Sequence, residues 1–151
     1  MKYKLKELSF NDLNFTTTHT INSGKIYNLN EPIEFQTPKV KIIDMDDNYL
    51  TLKILATEAS RIFFIKIHEF EQQLKKKFSN QQITSIFDGD TFKVKIKNKN
   101  FKVYFNCNLF NLYHLKPGMD IICLVSISKI WMNIYNVISY NLKVDEILIR
   151  S

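Results

Sequence analysis

Lys116-Pro-Gly-Met-Asp120, Ile121-Ile-Cys-Leu-Val-Ser-Ile-Ser-Lys-Ile-Trp131, Asn133-Ile-Tyr-Asn136 and the run from Val137 to Ile149 decide how this chain folds. Pro117-Gly118 is a turn signal, because proline presets φ and glycine tolerates positive φ. The run after it is rich in β-branched residues and too apolar to show either face to water, the pattern of a buried central strand. Asn133–Asn136 offers a break, and a second β-rich run follows. The expectation is a long hairpin with the single tryptophan, Trp131, near its tip, around which the upstream chain closes.

Upstream, residues 1–12 are polar and lysine-rich around Leu5, Leu8 and Phe10, and read as a short helix or a mobile arm. Leu13–Asn22 reads as a strand, since its threonines suit a half-exposed pleat. Ser23-Gly24 is a turn before a short extended piece, Lys25–Leu29. Pro32–Ile43 is a strand interrupted by Pro38, which marks an edge or a bulge. After the acidic turn Asp44–Asn48, Tyr49–Leu55 alternates and should pair with the strand before it. The period then changes. Phe63, Ile67, Phe70, Leu74 and Phe78 fall on one helical face, so a helix is predicted over about 60–78, with Ser60 as its cap and Lys75–Lys77 at its dipole-favoured end. Thr91–Lys97 alternates again. Asn98-Lys-Asn100 reads as a hairpin loop, with Phe101–Asn106 as the return strand.

A chain of 151 residues, 45% hydrophobic and 24% charged, fits one domain spanning 1–151. Its net charge of +6 favours polyanionic partners, although a bias towards Asn, Lys and Ile also follows from an AT-rich coding sequence. Cys107 and Cys123 have neither disulfide nor metal spacing and read as reduced, buried thiols. No apolar core of a signal sequence follows Met1, and no apolar run reaches a membrane-spanning length. An intracellular, cytoplasmic protein without a membrane partner is expected, in the host cytoplasm if it is virus- or plasmid-encoded.

Catalytic chemistry finds no foothold. His19, His68 and His114 stand apart, and there is no HExxH, GxSxG or glycine-rich phosphate loop. Asp44, Asp46 and Asp47 read as an acidic turn, lacking the rest of a calcium loop. No catalytic residue, metal or cofactor is expected. Basic strands interleaved with aromatics carry more information, because phosphates need cations and unstacked bases need flat π-faces. Lys93, Lys95, Lys97 and Lys102 stand outward on one predicted hairpin, with Tyr104 among them. Lys129, Trp131 and Tyr135 sit at the tip of the last hairpin, with Tyr140 and Lys143 on its return strand. The same residues also admit a plainer reading, in which the lysines only solubilise the surface and Trp131 packs on the core.

Leu115-Lys-Pro-Gly-Met119, the apolar strand to Ser128-Lys-Ile-Trp131 and the return strand to Ile147 resemble the end of a known family. It comprises the OB-fold single-stranded-DNA-binding proteins of large DNA viruses, cytoplasmic linear DNA elements and short-tailed phages. The order of a strand like Tyr49–Leu55, a helix, and a hairpin like Phe92–Phe105 is similar too. The tip Met132-Asn-Ile-Tyr-Asn136 departs from the glycines common in relatives. The end Asp145-Glu-Ile-Leu-Ile-Arg-Ser151 departs from the acidic tail by which phage relatives recruit partners, so that recruitment is not carried over.

The expected fold is therefore mainly β, a small antiparallel OB-like barrel with one amphipathic helix between strands. The expected function is single-stranded DNA binding with little sequence preference during replication of a virus or plasmid-like element. RNA is an open alternative ligand, and a homodimer and replication proteins are open as partners. Lys93, Lys95, Lys102, Lys129 and Lys143 would track phosphates, and Tyr104, Trp131, Tyr135 and Tyr140 would stack on bases. The alternative is a structural or assembly protein of a virion whose basic face meets a protein partner.

Overall fold

The computed structural model describes residues 10, 13–21, 24–79, 81–96, 101–106, 108–110 and 114–149. In chain order they form β1 (Phe15–Ile21), β2 (Gly24–Gln36), β3 (Val40–Met45), β4 (Tyr49–Ile54), α1 (Glu58–Lys77), β5 (Gln82–Ile83), β6 (Phe87–Asp88), β7 (Thr91–Lys95), β8 (Lys102–Phe105), β9 (Asn108–Phe110), β10 (Asp120–Asn133), β11 (Val137–Tyr140) and β12 (Leu142–Ile149). The chain is mainly β, with one mixed sheet. No helix among the described residues is long and apolar enough to cross a membrane.

β10 explains the apolar run that opens the sequence reading. It is paired on both edges for most of its length. One edge takes β3 at residues 120–121 and β2 at residues 124–133; the other takes β12 at residues 122–126 and β11 at residues 130–132. A strand enclosed this way needs side chains that tolerate burial, and Ile121, Cys123, Val125, Ile127 and Ile130 are all buried. The turn before it is Pro117-Gly118, where Gly118 has φ +96° and donates its N–H to the Ile42 carbonyl at 2.7 Å.

β2 and β3 follow one another along the same edge of β10, with Thr37-Pro38-Lys39 as the kink between them. Pro38 thus marks an offset rather than an end. Thr37 repairs it: its N–H donates to the Cys123 carbonyl at 2.8 Å, and its hydroxyl oxygen accepts the Cys123 N–H at 3.0 Å. Past the kink β3 pairs with β4, as expected, and β4 with β7. β7 pairs with β12, and β12 with β10, so β10, β3, β4, β7 and β12 close a ring of pairings.

Two expectations need correction. The sheet is not antiparallel throughout, since β5–β11, β7–β12 and β8–β12 are parallel pairs. Nor do Thr91–Lys95 and Lys102–Phe105 form a hairpin. β12 holds β10 on one edge, so β7 and β8 share its other edge in succession and run in the same direction. Lys97 and the expected loop Asn98–Asn100 lie outside the described residues, as do residues 1–9 and Cys107.

α1 buries Phe63, Ile67, Phe70 and Leu74, the face read from the sequence. Its cap is Thr57 rather than Ser60: the Ser60 N–H donates to Thr57 Oγ1 at 3.1 Å, and Glu58 in the first turn pairs with Arg61. Aromatic edges bind the helix to the sheet. Phe63 lies 5.1 Å from Phe92 and 5.5 Å from Phe87, Phe70 5.0 Å from Tyr140, and Phe78 5.0 Å from Tyr27, each between ring centroids. Such pairs contribute about 0.5–1.5 kcal/mol each beyond their area. They fix the helix across the ring, and among the described residues Lys53 on β4, Lys93 on β7 and Lys143 on β12 stand exposed on the other side of the sheet.

Candidate nucleic-acid interface

Alternation places one side of each ring strand outward. On β7, Phe92 and Val94 are buried, so Thr91, Lys93 and Lys95 face out; on β12, Leu142 and Val144 are buried and Lys143 faces out. Ring closure then sets residues far apart in sequence side by side. Lys95 is in register with Lys143, and Lys143 with Ser126 on β10. A bulge on β10 between Ile127 and Lys129 turns Ser128 and Lys129 to the same side, and Trp131 follows.

The result is a groove of about 350 Å³ lined by Lys95, Ser126, Ser128, Lys129, Trp131, Asn141 and Lys143. Three ammonium groups, two hydroxyls and one amide surround an indole. Lysines, hydroxyls and amide N–H groups are the donors that bind phosphate oxygens, and the half-buried Trp131 offers the π-face on which a base stacks. Trp131 is held from both edges, opposite Ile26 on β2 and Ser139 on β11. Glu34 is opposite Ser126 on β2 and is not part of the groove lining.

Four of the residues singled out in the sequence meet here: Lys95, Lys129, Trp131 and Lys143. Lys93 stands on the same face of β7, one pleat away, with its Nζ 6.0 Å from the centroid of the Tyr49 ring. Lys102 and Tyr104 do not join them. They lie on β8 beside the far end of β12, opposite Glu146 and Leu148. Tyr135 sits at the hairpin tip, 78% exposed and outside the groove lining.

Tyr140 requires a correction. It is only 4% exposed, packs edge-on against Phe70, and donates its hydroxyl to Glu71 Oε2 at 2.5 Å. Burial, with the Glu71 carboxyl beside it, raises its phenol well above the ordinary value. It ties the hairpin to α1 and is not a stacking surface. The alternation of β11 carries the signal, because Tyr140 shares its face with the buried Ile138.

Ser126, Ser128 and Asn141 escaped the sequence reading, although small polar residues interrupting an apolar strand are the trace they leave. Among the described residues no group of three or more His, Cys, Asp or Glu could hold a metal ion. Cys123 is buried, its thiol pushed up to about 12 by desolvation, which leaves it inert as a nucleophile. No protein-family model and no curated protein sequence matches this chain.

Proposed function

We propose that this chain is a non-catalytic, OB-type protein that binds single-stranded DNA with little sequence preference, in the replication of a virus or plasmid-like element. The observation that carries the reading is the groove, where Lys95, Lys129, Lys143 and Trp131 converge from three strands. Cations beside one aromatic platform suit a flexible polyanion whose bases are unpaired.

The strand order supports it. Taken in chain order, the ring strands run first, second, third, fifth, fourth and back to first, with the third and fifth parallel. That is the connectivity by which a five-stranded Greek key of the OB type closes. The resemblance of Leu115–Trp131 to viral and phage single-strand binders points the same way.

Trp131→Leu tests the reading. The substitution keeps an apolar side chain between β2 and β11 and removes the π-face. Binding of a dT20 oligonucleotide should weaken about 5- to 150-fold, the equivalent of about 1–3 kcal/mol for one lost stack, while the circular dichroism spectrum and the unfolding midpoint stay near wild type. Unchanged affinity in a folded Trp131→Leu protein contradicts the assignment.

A further inference from the structure

We propose that Tyr49 on β4 is a second stacking platform, and that a single strand crosses the outer sheet face from Trp131 to Tyr49, passing over Lys143 and Lys95. This rests on the reading of the groove as a single-strand site and gives it a path and an end.

The register draws the path. Tyr49 is opposite Lys95, Lys95 opposite Lys143, and Lys143 opposite Ser126, so one row crosses β4, β7, β12 and β10. Opposed residues share a face. Their chain neighbours Leu50, Val94, Leu142 and Val144 are all buried, which turns Tyr49, Lys95 and Lys143 outward, while Ser126 at the end of the row is itself buried on the floor of the groove. Tyr49 is half-buried, and the Lys93 ammonium lies over its ring 6.0 Å from the centroid, so a base that stacks on that face takes the place of the cation. No aromatic from the groove's own lining serves that end.

Its length is set by the sheet. Three inter-strand spacings separate β4 from β10, about 14 Å, and about five residue steps lead from Ser126 to Trp131 along β10, about 16 Å. A path of about 20–30 Å accommodates about four nucleotides, the lower end of the range for one OB fold. The acidic turn closes it. Asp46 accepts the N–H groups of Asn48 and Tyr49, both at 2.7 Å, and those two bonds hold its carboxyl below the usual carboxylate range. A phosphate carried beyond Tyr49 meets that fixed negative charge and those of Asp44 and Asp47.

A length series of dT2 to dT8 on the full chain decides it, with wild type, Tyr49→Phe and Tyr49→Thr compared. Wild-type affinity should climb steeply to about four nucleotides and little after. Tyr49→Thr, β-branched and at home in a strand, should bind dT8 about 5- to 150-fold more weakly yet bind dT2 like wild type, since dT2 fits the Trp131 end. Tyr49→Phe should match wild type throughout. A dT8 with 5-iodouracil at each position in turn, photo-crosslinked to the unmodified chain, should mark Tyr49 from one end and Trp131 from the other. That readout holds even where Tyr49→Thr does not fold. Crosslinks at Trp131 alone, or equal weakening of dT2 and dT8, overturn the path and leave the groove standing. Wild-type protein that binds no length overturns the groove itself.

Discussion

Lys143→Gln isolates the electrostatic part of the groove. Lys143 is exposed, and glutamine keeps its reach and polarity, so the change falls among surface substitutions that shift stability by no more than about 0.5 kcal/mol. Three lysines line the groove. If each neutralises one phosphate of a single strand, log K falls with log salt at a slope of about −2, since each contact contributes about −0.7. Raising salt from 50 to 200 mM should then weaken wild-type binding about 20-fold. Removing Lys143 should flatten the slope to about −1.4 and reduce that loss to about 7-fold. The assay is fluorescence anisotropy of a labelled dT20 across the salt series. A Lys143→Gln protein that binds more weakly but keeps the wild-type slope refutes the phosphate contact. One that matches wild type in both affinity and slope removes Lys143 from the site altogether.

Gly24 opens β2 opposite Asn133, with φ +144°, and a Cβ there would lie 1.8 Å from the Met132 carbonyl oxygen. Gly24→Ala should therefore lower stability by about 1–3 kcal/mol or more, read as an earlier urea midpoint; an unmoved midpoint refutes the close approach. Tyr140→Phe removes the hydroxyl bonded to Glu71 and should cost about 1–3 kcal/mol at neutral pH. The folded Tyr140 holds its proton above the unfolded value near 10, so its contribution is full below pH 10 and lost as pH rises through the raised value. The alkaline fall in stability should accordingly be shallower in Tyr140→Phe, and identical alkaline limbs would contradict it. Iodoacetamide at pH 8 should leave Cys123 unmodified by peptide mapping until urea unfolds the chain, because its thiol is buried and titrates near 12; rapid native labelling would place Cys123 outside the core.

The sequence showed which face each strand turns inward more clearly than which strand lies beside it. Val94 and Phe92 announce their burial by alternation, and the helical face Phe63-Ile67-Phe70-Leu74 by its period; both are local properties. The partner of β7 is not local. Asn98-Lys-Asn100 has the chemistry of a hairpin loop, yet β12, about fifty residues later, takes the edge that β8 would have used. Long-range pairing won over turn propensity.

The same limit shaped the site. Lys95 and Lys143 were legible as outward lysines, but their adjacency exists only through the parallel β7–β12 register. Tyr49 read only as the start of an alternating strand and gained meaning only beside Lys93 and Lys95. Tyr104 and Lys102 were grouped with the groove through a hairpin that does not form. Tyr140 was misjudged for a different reason: a phenol invites a functional reading, while its partner Glu71 comes from α1, sixty-nine residues away.

The most direct test follows Trp131 emission, the chain's single indole, while unlabelled dT20 is titrated in at 50 mM salt, with the matching duplex as competitor. Emission that changes saturably with the single strand, reverses on added salt and resists competition by the duplex is the expected result. Emission indifferent to dT20, or displaced equally well by duplex, contradicts a single-strand groove at Trp131 and turns attention to a protein partner for the basic face.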